Sequence, residues 1–340
     1  TYQDIAEEVI REYGYDKVVP TFLDAAKVTS GGLNPYQTKE LAVKNYLCSQ
    51  GYYEIQTIAM CAKNEFDMFL IPEDAKEREV VELLNPITEN LSIMRTFMAP
   101  AMVRVIENNI KNGNEAMRFF EIANIYLPKA LPLTEPPVEK KMICLGTCGQ
   151  AEDFFALKGT LEAFASANDL EFTYKRGNVP YLHPGRTAEV YCKGTKIGQF
   201  GQLRYEIVDN MNIAAGKKAD TKIFIAEIDY AVLTGLFKEA IKYVPETGFV
   251  ANSRDLSVLV NKSVECGMLV ETIKECDERI KKVTLFDIFE SEKLGVDKKS
   301  MAFSLKLVSD KEDVTDEMAD AVFEKVVTTL SEKFDAQMRA

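Results

Sequence analysis

Hydrophobic and polar positions follow two periods along this chain. Apolar residues recur every three or four positions in several stretches, which predicts amphipathic helices. The helices predicted in the first two thirds of the chain are 2–13, 36–49, 99–110, 154–167 and 230–237. Apolar runs rich in β-branched and aromatic residues, bounded by Gly, Pro or Asn, predict strands. The strands predicted there are 52–59, 80–84, 117–127, 142–147, 223–228 and a hairpin over 187–204. Because regular strand–helix–strand repeats are missing from this order, we expect an α+β fold with an antiparallel sheet and flanking helices.

The last part of the chain follows a different order of elements. It predicts strands at 254–260, 283–289 and 300–307, helices at 266–275 and 316–334, and a terminal strand. The order β-α-β-β-α-β is that of a ferredoxin-like fold. Phe286 and Phe289 lie on either side of Asp287 in this part, so we expect at least one of the two rings in the core.

The segment from Leu83 to Thr96 contains an unusual break. Asn85-Pro86 interrupts an apolar run, polar residues follow, and a second short apolar segment ends at Arg95. This order, a strand, a turn, a second strand and a terminal arginine, is typical of the rim of a ligand pocket or of a subunit interface. It is equally typical of a plain hairpin with one solvated arginine.

Composition narrows the class of protein. The chain has 340 residues, 46% hydrophobic and 28% charged, which is ordinary for a globular protein with two or three domains. No apolar run reaches the roughly 18 residues of a membrane helix, and no secretory signal opens the sequence. The chain begins at Thr1 directly in a helical pattern, so we expect a fragment of a longer protein.

Cysteine and histidine usage limits the possible chemistry. The seven cysteines lack the spacing of a zinc site, which indicates free thiols in a reducing, cytoplasmic setting. His183 is the single histidine of the sequence, which excludes a multi-histidine metal site and disfavours a histidine-based catalytic triad.

Charge argues against broad nucleic-acid binding. The net charge is −12, and residues 246–340 carry 14 Lys and Arg against 20 Asp and Glu, a net of −6. A uniformly basic surface is therefore excluded, although a local basic patch is not.

Nine short motifs, in one order, resemble those of the phenylalanyl-tRNA synthetase beta subunit. They are Glu7 to Asp16, Leu84 to Thr96, Phe120-Glu121-Ile122, Asp153 to Gly159, His183-Pro184-Gly185-Arg186, Gly198 to Leu203, Arg254-Asp255-Leu256, Leu285 to Phe289 and Lys299 to Ala302. Each motif is weak alone, but their shared order covers nearly the whole chain.

The resemblance implies a domain plan and a function. Residues 1–20 would end a small helical domain, 21–245 would form a non-catalytic class II synthetase-like core, and 246–340 a ferredoxin-fold anticodon-binding domain. The family's upstream RNA-binding and editing domains are outside this sequence, so we expect no editing of Tyr-tRNA. The chain would assemble with alpha subunits as α2β2 and contact the anticodon side of tRNA-Phe, while the alpha subunit would use ATP to attach phenylalanine.

Candidate site residues follow from the same resemblance. No catalytic residue is expected, because a class II site needs several arginines on the ATP phosphates. Here Arg95, Arg118 and the Gly201-Gln202-Leu203-Arg204 segment are too few. Residues expected at an interface or in a degenerate pocket are Arg95, His183, Arg186 and Arg204. His183 could instead act as a general base and Arg186 as a phosphate clamp, but no nucleophile motif stands beside them. A tight Pro-Gly turn whose His and Arg stabilise loops at a subunit seam is the favoured interpretation.

An acidic cluster opens the chain. Asp4, Glu7 and Glu8 share one helix face, and Asp4 is a possible N-cap with Glu7 at capping-box spacing. The cluster suits either a helix N-terminus or a hard cation. The family resemblance implies a Mg²⁺ site on this pattern, with a further acidic ligand upstream of Thr1.

The resemblance implies that the last part contacts the anticodon stem of tRNA-Phe, and single-stranded RNA is bound by aromatic rings together with cations on the backbone. The last part offers six candidate residues of these types. They are Arg254, Lys281, Lys282, Phe289, Lys298 and Lys299. Because residues 310–313 are acidic, we expect weak, salt-sensitive binding. Two alternatives remain: an independent class II-like ligase that activates a small acid with ATP, or an assembly scaffold without RNA contact.

Overall fold

The computed structural model describes residues 1–21, 31–213, 221–237, 243, 248–291 and 294–339. Residues 1–43 form one compact unit and residues 44–340 a second. Within the described ranges, none of the helices combines the length and the apolar character needed to cross a bilayer. The domain boundary predicted between residues 245 and 246 lies outside the described residues.

The described residues form nine α-helices and thirteen strands. The helices are α1 Tyr2–Tyr13, α2 Pro35–Ser49, α3 Glu65–Met68, α4 Ala99–Lys111, α5 Phe154–Ala167, α6 Tyr205–Asn210, α7 Tyr230–Gly235, α8 Cys266–Cys276 and α9 Asp316–Phe334. The strands are β1 Tyr53–Glu54, β2 Met60–Cys61, β3 Ile93–Met94, β4 Met117–Leu127, β5 Val138–Cys148, β6 Phe172–Arg176, β7 Leu182–Cys192, β8 Thr195–Leu203, β9 Ile223–Asp229, β10 Asn252–Asn261, β11 Ile280–Phe289, β12 Lys298–Leu307 and β13 Gln337–Met338.

A seven-stranded sheet organises the larger part of the chain. Its order is β1-β4-β5-β9-β8-β7-β6, and every pair is antiparallel except β1 with β4. Helix α4 packs on one face through Met102 and Ile106, which are fully buried. Gly146 of β5 lies directly beneath: a Cβ there would stand 2.5 Å from Met102 Cγ, so the missing side chain permits the close approach of α4. On the opposite face Phe154 of α5 stacks on Phe200 at 4.8 Å.

The second sheet has the order β11-β12-β10-β13 and is antiparallel throughout. Helices α8 and α9 cover one face of it. Alternate strand residues such as Leu256 and Phe303 form a separate buried core with helix residues such as Leu330 of α9. The predicted α+β class with a ferredoxin-like last domain is confirmed.

Several predictions about local structure were wrong or incomplete. The predicted strand 52–59 is reduced to Tyr53–Glu54, the predicted strand 80–84 keeps only an isolated bridge from Glu82 to Ile93, and strand β6 was not predicted. Asp4 is not the N-cap of α1; Thr1 is, and Asp4 occupies the N3 position of a capping box. Phe286 and Phe289 are 58% and 44% exposed, so neither ring enters the core. A β-bulge between Leu285 and Asp287 on the edge strand β11 breaks the alternation on which that prediction depended.

Candidate functional site

The segment that ends at Arg95 forms the expected hairpin, but its arginine is buried. Backbone bonds from Leu83 N to Ser92 O and from Met94 N to Val81 O, both 2.9 Å, pair the two arms. The Arg95 side chain is 4% exposed. It donates from Nε to Asn124 O at 2.9 Å and from Nη1 to Thr57 Oγ1 at 2.8 Å. The solvated-arginine alternative is therefore wrong for this chain.

Glu121 is the acidic partner of Arg95. Its carboxylate is 2% exposed and lies 3.6 Å from Arg95 Nη1. It also accepts hydrogen bonds from Thr57 N at 2.9 Å and from Thr57 Oγ1 at 2.7 Å. Because the Arg95 and Glu121 groups engage each other and Thr57 in the interior, Arg95 serves here as a structural link between the hairpin and β4.

A second buried carboxylate, Glu227, lies on the same face of the sheet. Its Oε1 accepts from Met98 N at 2.5 Å and Ala99 N at 3.0 Å, at the N-terminus of α4, where an anion is favoured. Its Oε2 accepts from the Tyr181 hydroxyl. Burial raises the pKa of the Glu227 carboxyl and, together with the adjacent carboxylate, the pKa of the Tyr181 hydroxyl. Sequence reasoning did not find this network, since Glu227 and Tyr181 stand far apart in sequence.

Between these two carboxylates lies Cys144. The register places Glu121 opposite Cys144 on β4 and β5, and Cys144 opposite Glu227 on β5 and β9. Burial and the two flanking carboxylates raise the pKa of the Cys144 thiol. A thiol held protonated in this way is inert rather than nucleophilic.

Two cavities flank this polar layer. One, of about 600 Å³, is lined by Arg95, Arg104 and Glu65, with Arg104 Nη2 2.7 Å from Glu65 Oε1. The other, of about 480 Å³, opens over β4, β5, β8 and β9. Its polar lining residues are Lys76, Glu77, Thr96, Lys140, Asn178, Tyr181, Lys196, Gln199, Glu227 and Asp229. Its described lining contains no arginine, the side chain that binds phosphate oxygens through two parallel bonds, and two of its three lysines are paired with carboxylates.

The remaining core candidates gather where β7 begins and β8 ends. His183 Nδ1 accepts from Gly185 N at 3.1 Å, which is the turn-stabilising contact. Arg186 Nη1 donates to Gln202 Oε1 at 2.6 Å, and Arg204 Nε donates to Leu182 O at 3.2 Å. These contacts tie neighbouring strands together and bring no nucleophile to His183.

Glycines in this region serve backbone packing. A Cβ at Gly198 would lie 2.3 Å from Glu227 O, and one at Gly201 would lie 2.4 Å from Arg186 O. Gly201 to Leu203 thus belong to strand β8, which has close neighbours, and Arg204 follows as the N-cap residue of α6. This segment is not a loop that surrounds a phosphate.

The acidic helix face does not form a closed metal site. Asp4, Glu7 and Glu8 are exposed on α1; Asp4 accepts from the Thr1 amine and hydroxyl, and Glu8 Oε2 lies 2.5 Å from Arg11 Nη2. In the part of the chain that the structure describes, no three acidic, Cys or His side chains are placed to hold a metal ion. The residues present thus do not by themselves fit Mg²⁺, and Mg²⁺ binding here stays a prediction that needs a further ligand.

The second sheet carries the candidate tRNA-binding residues. Lys282 on β11 stands directly opposite Lys306 on β12, and both are exposed. Like charges directly opposite each other on a sheet are unfavourable unless an anion offsets them. Lys306 was missed by sequence reasoning because only the register shows it beside Lys282.

An aromatic–arginine pair lies farther along this sheet. The Arg339 guanidinium stands 5.0 Å from the centroid of the Phe289 ring, and Arg339 N donates to Ser257 O at 3.0 Å. Phe289 was predicted as a binding residue, and Arg339 was not. An exposed ring with a cation beside it is the composition that single-stranded RNA binds.

The other predicted residues of this domain differ in availability. Lys298 and Lys299, at the start of β12, are half-buried, whereas Lys281 is exposed. Arg254 is occupied by α9: its Nη2 lies 2.9 Å from Asp316 Oδ1 and its Nε 2.8 Å from Asp320 Oδ1. These carboxylates raise the pKa of Arg254 further.

Comparison with known proteins identifies the family. Residues 19–230 match the model of the phenylalanyl tRNA synthetase beta chain CLM domain, and residues 248–339 match that of the ferredoxin-fold anticodon binding domain. The chain belongs to the phenylalanyl-tRNA synthetase beta chain family. The resemblance drawn from nine ordered motifs is thereby confirmed.

Relatives in this family align along the whole chain. The phenylalanine–tRNA ligase beta subunit of Halalkalibacterium halodurans is 32% identical, and that of Clostridium acetobutylicum 30% identical. Each alignment covers 99% of this chain and 42% of the relative, so the chain spans about two fifths of the length of these beta subunits.

Proposed function

We propose that this chain is the non-catalytic, carboxy-terminal part of a phenylalanine–tRNA ligase beta subunit. In this role residues 21–245 form the core that docks with alpha subunits in an α2β2 enzyme, and residues 246–340 bind the anticodon side of tRNA-Phe. The alpha subunit carries the ATP chemistry, and the assembly works in the cytoplasm. Membership of the beta chain family supports the overall assignment. The exposed residues of the second sheet support the RNA-binding role.

The opposed Lys282–Lys306 pair is the observation that carries RNA binding. Two cations held side by side on an exposed sheet suit a phosphate backbone, while the Phe289 ring with Arg339 beside it offers a surface for stacking. The net charge of −6 over residues 246–340 confines binding to this patch, so affinity should be modest and strongly salt-dependent.

The lack of phosphate-binding groups supports inactivity of the chain alone. Arg95 is engaged with Glu121, Arg104 with Glu65 and Arg204 with a backbone carbonyl, and the 480 Å³ cavity over the sheet has no lining arginine among the described residues. ATP–pyrophosphate exchange by the purified chain without alpha subunit would overturn this assignment and favour an independent class II-like ligase.

Titration with tRNA-Phe tests the RNA-binding role. We expect the double variant Lys282→Ala/Lys306→Ala to bind tRNA-Phe more weakly and to lower the slope of log affinity against log salt by about 1–2. Lys325→Ala/Lys333→Ala, which removes two exposed cations from helix α9 on the other side of the domain, is the matched control. Equal losses in the two variants would refute the patch, and no tRNA contact at all would favour the scaffold alternative.

Co-purification with the alpha subunit tests docking. Retention of alpha by the tagged chain through gel filtration is expected, and complete separation of the two proteins would contradict the docking role.

A further inference from the structure

The 480 Å³ cavity over the seven-stranded sheet has the construction of a small-molecule site. Its size lies in the usual range for such pockets. Strands β4, β5, β8 and β9 form its base, and residues 76–77, 96–97 and 178–181 border it. The tRNA-binding patch on the second sheet shares none of these residues, so this site is independent of the proposed function.

The polar end of the cavity is built from buried groups. Glu227 and Tyr181 are 5% and 4% exposed, and the Tyr181 hydroxyl donates to the Glu227 carboxylate. Gln199 Nε2 donates to the Tyr181 oxygen at 3.3 Å. This bond orients the Gln199 amide and leaves its carbonyl as an acceptor at the cavity surface. A carboxylate and an amide carbonyl side by side favour a ligand that brings hydrogen-bond donors, above all an ammonium group.

Charge around the cavity is balanced. The lining has three lysines and three acidic residues. Lys140 Nζ lies 2.8 Å from Asp229 Oδ2, and Lys196 Nζ lies 2.6 Å from Glu189 Oε1. A di- or triphosphate would find no uncompensated cation cluster in this lining, whereas a ligand without net charge meets no electrostatic penalty.

The rest of the wall is apolar. Phe97, Ile125, Met142, Val179 and Ile197 contribute side chains to it. An apolar ligand body buried against these residues gains the usual hydrophobic free energy, while water there makes few hydrogen bonds.

We propose that this cavity binds a small zwitterion with an apolar body, namely an α-amino acid with an aliphatic, thioether or aromatic side chain. Its ammonium group lies toward Gln199 and Glu227, its side chain toward the Phe97 and Met142 wall, and its carboxylate toward the exposed Lys76 at the rim. Because no phosphate-binding groups accompany it, this is binding without activation of the amino acid.

Saturation-transfer NMR and calorimetry on the 340-residue chain, without tRNA or alpha subunit, test the site. The probes are L-leucine, L-methionine and L-phenylalanine, each against its N-acetyl derivative, which keeps the side chain and carboxylate but loses the ammonium group. Saturable binding is expected for at least one free amino acid and not for its acetylated form.

Variants assign that binding to the cavity. Gln199→Leu should weaken it about tenfold through the lost acceptor, and Met142→Trp should abolish it by filling the cavity. Gln56→Leu, at an exposed position outside the lining, should leave it unchanged. Far-UV circular dichroism establishes that each variant is folded. Absence of saturable binding by all three amino acids, equal binding of the acetylated forms, or unchanged binding in folded Met142→Trp would overturn the proposal.

Discussion

The substitution Arg95→Met tests whether Arg95 stabilises the fold or is merely a solvated side chain. The substitution keeps an unbranched side chain of similar length and removes the guanidinium, which bonds Asn124 O and Thr57 Oγ1 and faces Glu121. A solvated arginine on a hairpin would change stability by no more than about 0.5 kcal/mol when replaced.

The structure gives a much larger expectation. Removing Arg95 leaves the Glu121 carboxylate 2% exposed without its cation, and breaking a buried pair in this way costs about 3–5 kcal/mol. The two Thr57 donors remain on Glu121, so the lower end of that range is expected. With a urea dependence of about 2 kcal/mol per molar, the unfolding midpoint should fall by roughly 1.5 M.

Urea titration followed by far-UV circular dichroism measures the change; the sequence contains no tryptophan, so tyrosine fluorescence is the second probe. The matched control is Arg95→Met/Glu121→Gln, which removes both charges and should recover a substantial part of the loss. A single-variant loss below about 1 kcal/mol, or a double variant no more stable than the single one, would refute the buried-pair reasoning.

Three further outcomes follow from other contacts. Arg279 bonds Asp277 and lowers its pKa to about 2, so the pair's contribution is present above the unfolded pKa of 3.8 and is lost as pH falls through about 2. Asp277→Asn should therefore cost about 0.5 kcal/mol at neutral pH and much less near pH 2, measured by urea titration at both values. Arg254→Ala should lower the melting temperature of the last domain, because its ion pairs with α9 are lost. The slope of log tRNA affinity against log salt should stay nearly constant. A slope change as large as that of Lys282→Ala/Lys306→Ala would contradict this expectation. Gly198→Ala should lower the free energy of unfolding by about 3 kcal/mol, since its Cβ would lie 2.3 Å from the backbone carbonyl oxygen of Glu227. Gly159→Ala, with open space around the added Cβ, should not destabilise the protein. Similar urea midpoints for the two variants would refute the distinction.

Long elements with a strong period were predictable. Strand β4, helix α5 and helix α9 run over the residues that their patterns indicate, because an amphipathic stripe of ten or more residues allows one way of burying its apolar side. The 52–59 stretch behaves differently: only two of its residues pair with β4, since pairing depends on a neighbour supplied from elsewhere in the chain.

Some residues of the candidate sites could be predicted from the sequence, and others could be found only in the structure. The sequence offered Lys282 and Phe289 as candidate tRNA-binding residues, but not the residues that stand beside them, Lys306 and Arg339. Arg254 looked equally available in the sequence, and only its distance to the carboxylates of α9 shows that its guanidinium is engaged.

By itself, the sequence determined the family, the α+β class and the β-α-β-β-α-β order of the last part, because those depend on local period and on motif order along the chain. Tertiary structure decided the state of the charged groups. Whether Arg95 meets solvent or Glu121, and whether Glu227 caps helix α4 and joins Tyr181 at a cavity, depends on strand register and helix placement. Electrostatic interactions act through space over a few ångströms, and the chain order of the residues involved does not encode those distances.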